Sequence, residues 1–334
     1  MAIVGIDIGN NNCKFAVREG AGMRLVSMRM PENLAKSGEV VSPEAMAKFL
    51  GGVRSSENIR ERDCALVLDT SRVFFRRVTM PPMTVAELKL NLPYEFRDYI
   101  SENPDDYVYD YAVDEILRDE EGSIVSMNLF AAAASKELVE SMSGMLRRAG
   151  FKLKMVTPAP MAYARLLSEH AKARPEDEGK DVVLVDLGHG DVTVSLFREG
   201  RYDSSRIIDF GCDSFDSIIA EIKGIDPFTA NSYKFTNFDG VLDAPECLAL
   251  CDRFAMEVSK VVNFYNFNNP EREIERLCFL GGGACIPQVS DAISQMVSVP
   301  ASTIEALLPA EAALQKDALV CTLALAGMLE GESM

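Results

Sequence analysis

A polar turn near the N-terminus carries the first residue types that could do chemistry. An apolar stretch ends there in Asp7, and the residues that follow include Gly9, Asn10, Asn11, Asn12 and Lys14. Glycine and asparagine accept a positive φ at small cost, so the backbone can turn sharply and successive N–H groups can hold a phosphate group. A buried aspartate needs a cation, so Asp7 predicts Mg²⁺ held directly or through water, and Lys14 adds positive charge toward a phosphate. An asparagine-rich β-turn needs no ligand, so this turn alone leaves a purely structural role open.

The same pattern recurs in the second half of the chain. The second copy contains Asp186, Gly188, Gly190 and Thr193, and it begins 179 residues after the first. In both copies an apolar strand, an Asp-apolar-Gly triplet, a polar turn and a second strand come before the residues Arg-Glu-Gly. This internal repeat predicts two related lobes. Two buried aspartates at the heads of two lobes are what a clamp on both sides of a polyphosphate, with its magnesium ion, would need.

Two better known phosphate motifs do not fit this second turn. A Rossmann fingerprint needs a third glycine that opens a helix, but Thr193 stands at that position and the next residues alternate like a strand. The P-loop pattern G-x-x-x-x-G-K-[ST] does not occur in the sequence. The two hairpins therefore predict a different kind of phosphate site.

A run of three glycines and one helical pair could complete such a site. Gly281, Gly282 and Gly283 follow a predicted strand, and the absence of side chains would let a flat base approach the backbone. A tight turn would explain the same glycines. Glu257 and Lys260 are three residues apart on a predicted helix, so they share one face. They could hydrogen-bond a ribose and a base, or form an ordinary surface ion pair.

The other reactive residue types form no comparable pattern. The chain has two histidines, His170 and His189, and no serine or cysteine has an evident histidine partner, so covalent hydrolase chemistry is poorly supported. Eight cysteines are scattered singly, as in a reduced core. Cys247 and Cys251 are four residues apart, but no second pair lies at zinc-ribbon spacing.

Length, charge and apolar patterning limit the class of protein. A chain of 334 residues predicts two domains, and a net charge of −17 disfavours nucleic acid as a partner. No run of about 18 apolar residues occurs, which predicts that the chain does not span a membrane. The first residues lack the basic and apolar regions of a secretion signal, so we expect a cytoplasmic protein.

Strands and helices must hold these turns in place. Besides the two hairpins, the sequence predicts strands at 65–68, 73–78, 107–117, 126–134, 151–156 and 277–280. It predicts helices at 84–99, 135–149, 214–223, 245–267 and 309–329, and another that begins near 286. The stretch 81–154 is expected to be a compact α+β insertion. The charged segment 174–181 is expected to be a solvated connector.

Together these motifs resemble the PilM family, the cytoplasmic actin-like components of type IV pilus assembly, with the FtsA division proteins as relatives. The resemblance is carried by the first hairpin and by residues 87–111, 230–234 and 277–284. It implies an α/β, two-lobed actin-like ATPase fold of duplicated ribonuclease H-like lobes, with a small α+β subdomain inserted in the first lobe. The implied first lobe is 1–80 plus 155–181 plus 311–334, the inserted subdomain is 81–154, and the second lobe is 182–310.

The resemblance also implies ATP and magnesium between the lobes, with Asp7 and Asp186 at the metal. The implied phosphate-binding residues are Gly9, Asn10, Asn11, Asn12, Lys14, Gly188, His189 and Gly190. The implied residues of the nucleoside end are Glu257, Lys260, Gly281, Gly282 and Gly283, and Lys234 joins the site through the matching segment 230–234.

A membrane partner follows from the same resemblance. The inserted subdomain and the first lobe are expected to bind the short cytoplasmic N-terminal tail of a PilN-like membrane-spanning protein, as an extended peptide. Other pilus assembly components and self-association are further expected contacts. Such partners would recruit the chain to the inner face of the cytoplasmic membrane.

Three positions depart from the family pattern. Thr157 stands where an acidic residue is frequent, His189 where a small residue is frequent, and Asn231 where glutamate is usual. With fewer carboxylates to orient a water molecule, we expect ATP binding with weak or no hydrolysis. Three alternatives stay open: an FtsA-like division protein, although residues 329–334 do not resemble that family's terminal membrane helix, a small-molecule kinase of the same superfamily, and a pseudo-ATPase that kept only the fold.

Overall fold

Two five-stranded sheets of equal topology form the framework of the protein. The computed structural model describes residues 2–20, 22–31, 34–36 and 39–333. Its strands are β1 (Val4–Ile8), β2 (Asn12–Glu19), β3 (Gly22–Arg29), β4 (Ala35–Lys36), β5 (Glu39–Val40), β6 (Asp63–Leu68), β7 (Phe74–Met80), β8 (Tyr107–Arg118), β9 (Ile124–Ser135), β10 (Lys152–Pro158), β11 (Val182–Leu187), β12 (Val192–Arg198), β13 (Arg201–Ile208), β14 (Arg276–Leu280) and β15 (Ala301–Thr303). The sheet orders are β10-β6-β1-β2-β3 and β13-β12-β11-β14-β15. In each sheet an antiparallel three-stranded meander continues into two parallel strands.

Ten helices cover these sheets among the described residues. They are α1 (Pro43–Ser56), α2 (Val85–Glu95), α3 (Lys136–Arg148), α4 (Ala159–Ala173), α5 (Asp213–Lys223), α6 (Pro227–Thr236), α7 (Pro245–Asn268), α8 (Pro287–Met296), α9 (Ala310–Ala313) and α10 (Ala318–Gly331). Several begin at side chains that accept a hydrogen bond from the first turn, as Ser42 and Asp226 do, and Thr84 forms a capping box with Glu87. No helix in the described part of the chain is long and apolar enough to cross a membrane.

The predicted elements are found with small shifts, with one exception. The expected helix 309–329 is two helices, α9 and α10, separated by a break at 314–317. Strands β3, β4, β5, β13 and β15 and helices α1, α4 and α6 lacked a prediction. Strands β3 and β13 mix apolar with charged residues, and each depends on pairing with a neighbouring hairpin strand for its place.

A three-stranded sheet of order β7-β9-β8, covered by α2, makes up most of the inserted region. The residues that form this region differ from the predicted range 81–154 at both ends. Strand β7 precedes residue 81 but pairs with β9. Helix α3 lies inside those limits, but its apolar residues Met142, Met145 and Leu146 pack in the core below the first five-stranded sheet. Pairing and packing with residues distant in sequence decide where both elements belong.

The charged segment 174–181 is largely exposed, as expected of a solvated connector, but two of its carboxylates are paired. The Asp177 carboxylate contacts the His170 ring at 2.8 Å and also binds Lys180 and Arg276. Hydrogen bonds from Lys180 and His170 lower the pKa of Asp177 to about 2. Buried Asp181 receives two hydrogen bonds from Arg272, at 2.7 and 2.8 Å. Ion pairs with Arg272 and Arg276 therefore attach this connection to the second lobe.

Helices α4 and α10 lie between the two sheets and share one core with both. This core contains Ile3 and Val67 from the first sheet and Leu184 and Leu280 from the second. Helix α10 is apolar on all sides, as expected for a helix surrounded by protein. It packs so closely on β1 that a Cβ atom on Gly5 would lie 1.8 Å from the Ala324 carbonyl oxygen.

We predict that Gly5→Ala lowers the free energy of unfolding by about 3 kcal/mol, because the methyl group must displace the α10 backbone. Gly144→Ala on α3 is the matched control, since apart from the chain neighbours and the helix's own backbone no atom lies within 4 Å of the added methyl group. It should stabilise the protein by about 0.5 to 1 kcal/mol. Urea unfolding of both variants measures the difference, and equal effects would contradict the close packing of α10.

Candidate functional site

The turns after β1 and β11 face each other across a cavity of about 510 Å³. Fourteen predicted site residues line it: Asp7, Gly9, Asn10, Asn11, Asn12, Lys14, Asp186, Gly188, His189, Thr193, Lys234, Gly281, Gly282 and Gly283. The packing of α4 and α10 between the sheets places these residues together although up to 276 positions separate them in sequence.

Asp7 and Lys14 form an ion pair at the floor of the first turn. They are direct partners in the β1–β2 hairpin, and the Lys14 Nζ lies 2.9 Å from the Asp7 Oδ2. Burial acts to lower the pKa of Lys14, but attraction to Asp7 and the hydrogen bond outweigh burial and raise it. A Cβ atom at Gly9 would lie 2.6 Å from the same Nζ. The glycine thus makes room for the lysine ammonium group.

Asp186 is bound by a residue that sequence reasoning missed. The Tyr163 hydroxyl on α4 donates a hydrogen bond of 2.8 Å to the Asp186 Oδ2. Burial raises the pKa of Tyr163, which keeps the hydroxyl protonated as the donor. Burial also raises the pKa of Asp186, to about 6. The available signal was a tyrosine inside an apolar helix, because a buried hydroxyl needs a hydrogen-bond partner.

Two further carboxylates, also missed, line the cavity. Asp69 follows β6, and Asp191 precedes β12. Burial raises the pKa of Asp191 to about 6, and nearby carboxylates, Asp69 foremost, add to the increase. Carboxylates whose charged forms are disfavoured in this way favour a bound cation. Among the described residues, no group of three or more histidine, cysteine or acidic side chains is arranged to hold a metal ion.

The three glycines have different surroundings. A Cβ atom at Gly281 would lie 2.4 Å from the Asp186 Oδ1, and one at Gly283 would lie 2.5 Å from the Cys212 Sγ. At Gly282 the nearest atom would be the Phe235 Cζ, at 4.0 Å. Packing against the end of β11 therefore requires two of the glycines, and Gly282 leaves open space beside an aromatic ring.

Three predicted residues do not line the cavity. Glu257 and Lys260 bind each other at 2.6 Å on the outside of α7, the surface ion pair that the sequence left open. Gly190 lies where a Cβ atom would be 3.1 Å from the Asn10 Nδ2, so the two turns approach each other there. A second contact across the cleft places the Arg29 guanidinium 3.7 Å from the centre of the Phe228 ring.

Lys234 lies at the cavity wall, but its charge is already paired. Its side chain is fully buried, the Nζ lies 2.6 Å from the Asp216 Oδ1, and it donates to the Cys212 carbonyl at 2.7 Å. Asn231 donates to the other oxygen of the same carboxylate at 3.0 Å. These contacts join α6 to α5. Burial, with Lys234 nearby, lowers the pKa of His189 in the adjacent turn.

Comparison with known proteins identifies similar sequences and folds. Residues 5–320 match the family model described as type IV pilus assembly protein PilM. A solved structure titled "PilM-PilN type IV pilus biogenesis complex" is similar over 98% of both chains, with 22% identity and a TM-score of 0.79. No curated protein matches the sequence.

Two more distant structures share the fold. The ethanolamine utilization protein EutJ from Carboxydothermus hydrogenoformans covers 97% of this chain and 89% of its own, with 15% identity and a TM-score of 0.58. MreB 5 of Spiroplasma citri bound to AMPPNP covers 99% and 96%, with 12% identity and a TM-score of 0.53. The predicted two-lobed actin-like fold is confirmed.

We predict that Lys234→Met lowers the free energy of unfolding by about 3 to 5 kcal/mol, because it leaves Asp216 buried and unpaired. Adding Asp216→Asn should recover part of this loss. Lys260→Met is the matched control, since it breaks an ion pair of the same length in an exposed position, and should cost less than about 1 kcal/mol. Urea unfolding of the three variants measures these values, and equal losses at 234 and 260 would contradict a structural role for Lys234.

Proposed function

The chain belongs to the PilM family of type IV pilus assembly proteins, and from this premise we propose that it is a nucleotide-dependent scaffold of pilus assembly. Nucleotide in the cleft would set the relative position of the two lobes. That position would in turn set the affinity for the cytoplasmic tail of a PilN-like membrane protein. The tail would bring the scaffold to the inner face of the cytoplasmic membrane.

The facing pair of Asp-apolar-Gly turns carries the nucleotide part of this proposal. The cavity between them falls within the range of about 300 to 1,000 Å³ that small ligands occupy. The Gly9 N–H closes the first hairpin on the Asn12 carbonyl, so the backbone N–H groups of the turns at 10–12 and 188–190 would hold phosphate oxygens. Asp7 and Asp186 would hold Mg²⁺ through water. The metal would offset the charge that cavity carboxylates and phosphates share, so we infer magnesium-dependent binding. The open space at Gly282 beside Phe235 suits a flat base.

Weak or absent hydrolysis fits the same role. Thr157 is buried, and its hydroxyl donates a long hydrogen bond of 3.4 Å to the adjacent Pro158 carbonyl. Asn231 is committed to Asp216. Neither residue supplies a carboxylate that could orient an attacking water molecule. Measuring phosphate release would test this expectation, and phosphorylation of a panel of sugars would instead support the kinase alternative.

We predict that MgATP at about 100 times its dissociation constant raises the free energy of unfolding by roughly 2.7 kcal/mol. Chelation of Mg²⁺ or the substitution Asp7→Ala should abolish the increase. Glu257→Ala is the control, because Glu257 lies outside the cavity and its loss should leave the increase intact. Thermal unfolding with and without nucleotide measures the effect. No shift in the wild type would contradict nucleotide binding and leave the pseudo-ATPase alternative.

A second cavity supports the partner part of the proposal. It has a volume of about 280 Å³ and lies between β7, the residues after α2, and β13. Its lining includes Phe74, Phe75, Phe96, Tyr99 and Tyr202. Strand β7 is an edge strand of its sheet. An extended peptide could therefore bind backbone groups of β7 and place alternate side chains in an aromatic-lined groove.

We predict that Tyr99→Ala weakens binding of a synthetic PilN-like N-terminal peptide by about tenfold or more, because an aromatic anchor in a groove contributes strongly. Tyr94→Ala is the matched control: both rings are 56% exposed and both lie under an arginine, but Tyr94 is outside the groove. Calorimetric titration with and without MgATP measures both affinities. If both variants lose affinity equally, or if neither does, the peptide binds outside this groove.

A further inference from the structure

The edge of the three-stranded sheet opposite β7 is formed by a long, open strand. Strand β8 has 12 residues and pairs with β9 on one side. In the described part of the chain no strand pairs with its other side, and the Arg201 side chain donates a hydrogen bond to the Asp114 carbonyl of β8. The Tyr111 N–H of β8 donates to the Asp110 side chain at 2.8 Å, and the outward N–H and C=O groups without such a contact can accept another strand.

This edge is only partly protected against strand addition. Strand β8 is long and contains no proline or lysine, but its register is irregular after Val113 and after Leu117, and it carries carboxylates. Four of its apolar side chains are at least 40% exposed: Val108, Val113, Ile116 and Leu117. The tyrosines at 107, 109 and 111 pack under α2, so the helix covers the sheet face and leaves the strand edge open.

The charge around this edge selects the partner. Residues 102–121 contain nine aspartates and glutamates against a single arginine, so they contribute a formal charge of −8 to the chain total of −17. Two copies of this edge would repel each other, which disfavours pairing between identical chains. A basic segment would be attracted to it.

We propose that β8 is a second docking site, which binds a basic, extended segment of a protein partner as a fourth strand of the sheet. The register assigns the two faces of that segment. Val113 and Ile116 lie opposite Leu129 and Met127, so they extend the buried face and would contact apolar side chains. Asp110 and Glu115 lie on the other face and would bind lysine or arginine. Because β7 and β8 are opposite edges, this partner and a tail in the groove can bind at the same time.

The test uses the full chain and a labelled 12-residue peptide of alternating valine and lysine. Fluorescence anisotropy measures its affinity for the wild type, for Asp110→Lys/Glu115→Lys and for Glu271→Lys/Glu273→Lys. The last variant is the control, because it changes the net charge equally on an exposed part of the second lobe. We expect a loss of about tenfold or more for the first variant and little change for the control. Hydrogen exchange should show protection of β8 amides on binding.

A second arm needs only the wild-type protein. The same peptide with alternate backbone nitrogens methylated keeps its charge but cannot complete a strand, and it should bind at least about tenfold more weakly. If the methylated and the unmethylated peptide bind equally well, charge attraction alone explains the binding, and the proposal is overturned. Equal losses in both charge variants, or protection of β7 instead of β8, would overturn it too. So would a dimer of the wild type that protects β8 without any peptide.

Discussion

The close packing of α10 and α4 between the two sheets is the constraint on which the rest of the structure depends. The absence of a side chain at Gly5 lets the α10 backbone lie against β1, and Gly327 and Gly331 allow similar approaches to Val67 and Ile3. A core shared by both sheets holds the ends of β1 and β11 opposite each other. The cavity lies between these strand ends, because the turns that line it belong to two separate sheets.

The electrostatics of the cavity follow from that geometry. Asp7 is buried and Asp186 is half-buried, and each carboxylate has a hydrogen-bond donor, Lys14 for Asp7 and Tyr163 for Asp186. The two partners are not equivalent, since an ammonium group offsets a charge and a hydroxyl only donates a hydrogen bond. With Asp69 and Asp191 nearby, burial keeps the pKa of Asp186 raised. Such a site is organised before a ligand binds, and it favours cations and their complexes.

The inserted sheet connects this cleft to the protein surface. Strand β7 follows the turn that carries Asp69, and the Arg77 and Phe75 side chains on it meet the second lobe at Tyr202. Asp114 on β8 binds both Arg77 and Arg201. A movement between the lobes would thus be transmitted to the sheet whose two edges are proposed to bind partners. The proposed coupling between nucleotide and partner would use this link.

The sequence by itself determined the features that depend on neighbouring residues. The two hairpins, their aspartates, the glycine turn and most helices could be predicted, since turn chemistry, capping and apolar periodicity act within a few positions. Only the tertiary structure decided that Glu257 and Lys260 pair on the surface and that Lys234 forms an ion pair with Asp216. It also decided that Tyr163, Asp69 and Asp191 line the cavity. It also showed that β7 pairs with β9 in the inserted sheet and that α3 packs in the core of the first five-stranded sheet. The physical reason is that burial and pairing are set by residues distant in the chain, and no local pattern specifies them.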